Sequence, residues 1–297
     1  MKAKIDMHVH CARQRIEMPS IPGLPVERYI ADWRELAAHL RAQGIGRAVL
    51  MSGGETSGAK GQMNTNEDSC AIAAQMPDFY AWMCNLDAKD PDAVKERLAR
   101  YKAMGAVGVG ELAVNEWMDS PFLTAVFAAA EELELPVTIH MSPRPGYQYG
   151  VCDRPGLPLL EQTLRRFPGL KLLGHSQVFW LEISADCPRE GDAARSGMGK
   201  GPVVPGGSVE RLMYTYPNLY GDLSAFSGSC AILRDEAYGL AFLEAFSERL
   251  YFPTDAANKT QTFPLAAFLD ESVRAGKLSE TAWRNICFEK AHRVFGL

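Results

Sequence analysis

Residues 4–10 read KIDMHVH, a short apolar run that ends on two histidines separated by one residue. Alternate side chains on a strand point to the same side, so His8 and His10 can face one ion together. Alone, a His-x-His pair is a weak signal, because many are surface accidents. It gains weight from the runs that follow. Apolar, β-branched or aromatic stretches recur at Arg47–Ser52 (RAVLMS), Phe79–Leu86 (FYAWMCNL), Ala106–Leu112 (AVGVGEL) and Pro136–Met141 (PVTIHM). They continue at Leu170–His175 (LKLLGH), Leu219–Leu223 (LYGDL) and Leu250–Asp255 (LYFPTD). With Lys4–Val9 these make eight candidate strands.

Helix-like segments separate them. Val26–Gln43 carries Leu36 and Leu40 at helical spacing and closes on Gly44. Asp90–Met104 opens on Asp-Pro and closes on Gly105, a start and a stop that suit a helix. Pro121–Leu133, Leu157–Phe167, Val209–Tyr214, Ala237–Glu248 and Phe263–Ala275 repeat the habit. Strands alternating with helices imply a parallel sheet. A count of eight favours a closed barrel over an open doubly wound sheet, and no Gly-x-Gly-x-x-Gly follows the first strand. The expected fold is therefore α/β, a single (β/α)8 TIM barrel over residues 1–297. Such a barrel takes about 250 residues, which leaves room for long loops. Two are expected on the active face: Cys11–Pro25, with three prolines, and Phe179–Ser208, which holds GMGKGPVVPGG.

The composition is close to that of a soluble globular protein. Hydrophobic residues are 47% and charged residues 23%, enough for a large core. Net charge is −5 with no basic block, which argues against a nucleic-acid partner, since phosphate affinity needs clustered cations. No window approaches the roughly 20 apolar residues of a membrane span, and MKAKIDMHVHC lacks the apolar core of a signal peptide. The seven cysteines are scattered, with no Cys-x-x-Cys pair, and read as reduced thiols. A cytoplasmic enzyme with a small-molecule substrate is expected. The sequence leaves a homo-oligomer open.

The polar residues that close the apolar runs carry the chemistry. His140 ends the fifth strand, His175 the sixth and Asp255 the eighth. Each alone is more readily a core histidine or a helix cap. Together with His8 and His10 they place four of the six histidines at C-terminal strand ends, where barrel enzymes keep their active sites. His39 and His292 fall in helical segments and read as structural. Three imidazoles and a carboxylate suit Zn2+ or a similar divalent metal, expected on His8, His10, His140 and Asp255. An open coordination position would lower the pKa of a bound water and supply a hydroxide nucleophile. Asp255 could touch the metal and accept that water's proton, while His175 polarises or protonates the substrate. Glu111, after Gly108-Val109-Gly110, should also face the mouth. It reads either as a helix-start carboxylate or as a ligand that bridges or holds a second metal.

In this order and spacing the pattern resembles the amidohydrolase superfamily, in particular the amidohydrolase-related branch that includes aminocarboxymuconate semialdehyde decarboxylase. His-x-His on strand one, His on strands five and six, and Asp on strand eight match His8, His10, His140, His175 and Asp255. The ending Asn285-Ile-Cys-Phe-Glu-Lys-Ala-His-Arg-Val-Phe also resembles that branch. Three departures matter. No lysine ends strand four, so a carbamylated-lysine bridge is not implied. Glu111 there resembles the TatD-like hydrolases. Pro253-Thr254-Asp255 replaces the usual Gly-Ser-Asp, which changes the local turn but keeps the carboxylate. The resemblance implies one tightly held metal; Glu111 keeps a second in view.

Around the mouth, Arg13 and Arg144 suit bidentate capture of a substrate carboxylate, or are simply solvated loop charges. Phe179, Trp180 and Tyr147 either line an apolar pocket or pack the loops. Hydrolysis of a small carboxylate-bearing amide, lactone or ester is the first expectation. Non-oxidative decarboxylation on the same site, a TatD-like phosphoesterase and a silent binding barrel are the alternatives.

Overall fold

The computed structural model describes residues 3–19, 28–56 and 64–297. Among these, eight parallel strands form the frame: β1 (Lys4–Val9), β2 (Ile45–Met51), β3 (Tyr80–Met83), β4 (Val109–Leu112), β5 (Val137–Ser142), β6 (Leu172–His175), β7 (Leu219–Asp222) and β8 (Leu250–Tyr251). Continuous ladders run β1–β2–β3 and β4–β5–β6–β7–β8. The two seams are joined by single bridges instead. Cys84 pairs with Val109, supported by hydrogen bonds from the Cys84 N–H to Gly108 O (3.0 Å) and from the Gly110 N–H to Cys84 O (2.7 Å). Val9 pairs with Ala256, supported by the Met7 N–H to Phe252 O (3.0 Å) and the Asp255 N–H to His8 O (2.8 Å). The order is that of a (β/α)8 TIM barrel.

Both faces of these strands are buried, which is why they read as continuous apolar runs and not as alternating ones. Ile5, Met7, Val49, Met51, Met83 and Leu173 fill the interior, and the C-terminal Ala291, Phe295 and Leu297 pack against them. Leu50, Trp82, Val109, Ile139 and Leu172 face outward to the helices. Gly110 lies inside, where a Cβ would stand 3.1 Å from the sulfurs of Met51 and Met83. Filling rather than leaving a pore is the rule for such barrels.

The expected helix stops hold for a steric reason. Gly44 and Gly105 take φ of +79° and +98°, a left-handed region that favours glycine. Other bounds shift. The segment 26–43 becomes a short strand, Tyr29–Ile30, paired with Ile16–Glu17 inside the first loop, followed by a helix only at Trp33–Ala42. Positions 20–27 of that loop and helix lie outside the described residues. Asp32 caps this helix by accepting from the Arg34 N–H. Asp90 precedes a 3-10 turn without capping it. Helices at Asn66–Gln75 and Ala225–Leu233 were not expected, and the long loop after β6 contains Gln177–Leu181 and Asp192–Arg195.

That long loop is pinned to the loop after β5. Arg195 donates to Pro143 O and Asp153 O, and Asp153 accepts from the N–H groups of Arg154, Leu159 and Leu160. Burial raises the Asp153 carboxyl to about 6, despite those hydrogen bonds. A folded value above the unfolded one means that the protonated form is favoured on folding. That contribution is complete below about pH 4 and is lost as pH rises through 6. Asn cannot ionise, so the stability of the wild type relative to Asp153→Asn should fall by about 2 kcal/mol between pH 4 and 7, at ~1.4 kcal/mol per unit. Urea unfolding at several pH values measures it; a pH-independent difference would refute the assignment.

Candidate metal centre

Strict alternation along β1 would turn His8 away from the interior that Ile5 and Met7 occupy. The pairing of β1 with β2 slips between Asp6 and Val9, and the Asp6 carboxylate accepts from the His8 N–H at 3.1 Å. A comparable slip on β4 lies between Val109 and Leu112. Such irregularities re-aim side chains beside active sites. Here they bring His8, His10 and Glu111 inside the mouth, where regular alternation from Thr138, Leu173 and Tyr220 already puts His140, His175 and Asp222.

Three donor atoms then meet at one point. The Nε2 atoms of His8 and His10 are 3.1 Å apart, and Asp255 Oδ1 lies 3.1 Å from His10 Nε2 and 3.6 Å from His8 Nε2. A tetrahedral ion with bonds of about 2.0–2.1 Å holds its ligand atoms about 3.3–3.4 Å apart. These spacings fit a divalent ion. Glu111 Oε2 stands 3.9 Å from His10 Nε2, while its Oε1 is 2.6 Å from His140 Nδ1 and 3.5 Å from His175 Nε2. Glu111 thus belongs to two groups of three, one with His8 and His10 and one with His140 and His175. His140 is brought to Glu111 and His175.

The cluster is buried, apart from the Asp255 side chain, which is 27% exposed and opens it to solvent. Burial acts to raise the Asp255 carboxyl, but the hydrogen bond from His10 and the imidazoles of His8, His10 and His175 bring it below the usual carboxylate range. Burial likewise opposes charge on His8, yet Asp222 beside it pushes its value up to about 10. Asp222 and Ser224 were not singled out in the sequence. Asp222 Oδ2 is 2.7 Å from His8 Nδ1, and Ser224 Oγ is 2.7 Å from His175 Nδ1. The signal was present, since LYGD closes on a polar residue as the other strands do.

The backbone around the mouth is strained where strands end. Ser176, Ala225 and Asp255, just after β6, β7 and β8, have φ of +86°, +59° and +59°, values costly for non-glycine residues. The apolar run 250–255 is strand only to Tyr251. Pro253 and the left-handed Asp255 then turn the chain so that the carboxylate reaches His10.

The remaining expected residues sit farther out. Arg13 pairs with Asp68 at 3.1 Å, and Arg144 with Asp192 at 2.6 Å, both half-exposed or more. Phe179 and Trp180 are buried packing, with the Trp180 indole N–H donating to Asp222 O at 2.8 Å. Tyr147 is 39% exposed and lies under Arg144. Tyr149, not foreseen, sets its ring 4.4 Å from that of His140. A cleft of about 400 Å³ opens beside Asp255 and is lined by Phe226, Ser229, Thr254, Gln261 and Phe263.

A parallel barrel with imidazoles and carboxylates converging at the C-terminal strand ends defines a metal-dependent barrel enzyme. The amidohydrolase family profile matches residues 5–195, about two thirds of the chain, and the chain belongs to that family. The match includes His8, His10, Glu111, His140 and His175; Asp222 and Asp255 lie beyond it. No curated protein matches the chain in sequence. Solved structures match it in fold. An uncharacterized TIM-barrel protein from Bordetella bronchiseptica is 16% identical with a TM-score of 0.66, covering 99% of this chain and 98% of that one. A protein described as a 2-pyrone-4,6-dicarboxylic acid hydrolase from Pseudomonas putida is 17% identical with a TM-score of 0.59, covering 100% and 98%. A dihydroxybenzoic acid decarboxylase from a Polaromonas species, with manganese and 2-nitroresorcinol bound, is 16% identical with a TM-score of 0.56, covering 100% and 98%.

Proposed function

We propose that the chain, as one catalytic unit over 1–297, hydrolyses a small carboxylate-bearing amide, lactone or ester. The observation that carries this reading is the meeting of His8 Nε2, His10 Nε2 and Asp255 Oδ1 at ligand spacing beside a solvent-open cleft. One divalent ion, zinc in our reading, would be held there by His8, His10 and Asp255 with Glu111 nearby, and His140 holds Glu111 through a hydrogen bond to Oε1. Bound there, the ion supplies Lewis acidity and lowers the pKa of a water. Asp255, partly exposed and held as a carboxylate, accepts the proton of the attacking water. His175 delivers a proton to the leaving oxygen or nitrogen as the acyl bond breaks. Phe226 and Phe263 give the cleft an apolar wall for the body of the substrate.

Arg144 and Arg13 are the cations that a substrate carboxylate meets on the β5 and β1 loops, each exchanging a protein carboxylate for the ligand's. Arg144→Gln should then raise KM about tenfold, the worth of ~1.4 kcal/mol, while kcat and metal content hold. An unchanged KM would remove Arg144 from the substrate site.

Two observations support a second reading each. The sharing of Glu111 between two donor groups favours a pair of ions, about 3.5–4 Å apart in such centres. Against it, 2.6 Å between Glu111 Oε1 and His140 Nδ1 is a hydrogen-bond length, too short for two ligands of one tetrahedral ion. Likeness in fold to a manganese-bound decarboxylase favours loss of CO2 from an aromatic acid, with manganese as the metal. Carboxylated lactones and amides screened beside aromatic acids, with CO2 monitored, separate the reactions. Turnover of neither class by metal-loaded protein would sink both. Anomalous diffraction counts the ions. We also place the protein in the cytosol, supported by its seven free cysteines. No helix among the described residues is long and apolar enough to cross a membrane.

A further inference from the structure

The end of β7 touches the centre from behind. One carboxylate and one hydroxyl there face the Nδ1 atoms of two different histidines. Asp222 Oδ2 lies 2.7 Å from His8 Nδ1, and Asp222 Oδ1 lies 3.5 Å from His175 Nδ1. Ser224 Oγ lies 2.7 Å from His175 Nδ1 and 3.5 Å from His8 Nδ1. The Ser224 N–H donates to Asp222 Oδ1 at 2.9 Å, which locks the two residues together. Asp222 is 1% exposed and Ser224 is fully buried, so no bulk water competes. The Trp180 indole, donating to Asp222 O, closes the back of this pair.

His8, His175 and Asp222 are close enough to be taken for an ion site of their own. The distances argue otherwise. At 2.7 Å, His8 Nδ1 and Asp222 Oδ2 are hydrogen-bonded, whereas two ligands of a tetrahedral ion stand about 3.3–3.4 Å apart. A carboxylate accepts and does not donate, so His8 Nδ1 must carry the hydrogen. The lone pair of a neutral His8 then falls on Nε2, the atom that faces His10 and Asp255.

We propose that Asp222 and Ser224 form a positioning pair that fixes His8 and His175 through their Nδ1 atoms, presenting both Nε2 atoms to the centre. The inference rests on the metal reading above and extends it to residues with no assigned role. His10 shows what the pair adds. Its Nδ1 is buried with no hydrogen-bond partner among the described residues, so the orientation of the first donor set depends on His8. Asp222→Asn is the informative change because it keeps the shape and reverses the preference. The Asn oxygen can still accept from the Ser224 N–H, which turns its amide N–H2 toward His8 Nδ1. That donor selects the tautomer with hydrogen on Nε2, where the ion should bind.

The test is competition of Zn2+ between a chromophoric chelator and the full-length protein, with thermal unfolding of the metal-free forms as the folding control. Asp222→Asn should unfold near the wild-type temperature and bind zinc about 10–100-fold more weakly, the usual effect of losing a carboxylate behind a ligand histidine. Equal affinity of variant and wild type would overturn the proposal and leave the metal reading intact. Failure of the wild type to bind zinc or manganese would overturn the metal reading itself. Should the variant not fold, the histidine 15N spectrum of zinc-loaded wild type decides. Hydrogen on His8 Nδ1 supports the pair, and hydrogen on His8 Nε2 refutes it.

Discussion

Replacing His8 and His10 together by alanine should reduce bound divalent metal from at least one equivalent per chain to near zero. The two Nε2 atoms, 3.1 Å apart, are two of the three donors that converge, and Asp255 alone offers an ion one carboxylate. Elemental analysis of variant and wild type prepared side by side is the measurement. A second readout is thermal. A ligand at 100 times its Kd stabilises the folded form by about 2.7 kcal/mol, so zinc should raise the unfolding temperature of the wild type and not of the variant. Metal content unchanged by the double substitution would place the site elsewhere and end the hydrolytic proposal.

The second large effect is expected at His175. Its Nε2 lies 3.5 Å from Glu111 Oε1 and its Nδ1 is held by Ser224, so the ring is oriented beside the donor set of His8, His10 and Asp255. His175→Asn should keep the metal and lower kcat by roughly 10²–10⁴-fold, the range for a general acid or base. Asn fills much of the space and can still hydrogen-bond to Ser224, but it cannot deliver a proton near neutral pH. Loss of metal in step with activity would instead make His175 a ligand of a second ion shared through Glu111.

Much of this was legible in the sequence because strands buried on both faces leave uninterrupted apolar runs. Those runs, with Gly44 and Gly105 as helix stops, suffice for eight strands and their order. The polar residue that ends a run is conspicuous for the same reason, hence His140, His175 and Asp255. Asn66–Gln75 escaped notice because its apolar residues form no clear helical face and its start depends on a capping box between Thr65 and Asp68. Asp222 was passed over although it ends its strand in the same way.

What the sequence by itself determined, then, is the barrel and the end of it that carries chemistry, since both follow from burial patterns along a single chain. The tertiary structure decided which donors meet. The register slips on β1 and β4 turn His8 and Glu111 inward, and the left-handed turn at Asp255 returns its carboxylate to His10. Asp222 and Ser224 come to stand behind His8 and His175 only because β6, β7, β8 and β1 lie side by side. Residues 214 positions apart, as His8 and Asp222 are, share no local pattern, and their 2.7 Å contact exists only once the ring of strands brings them together.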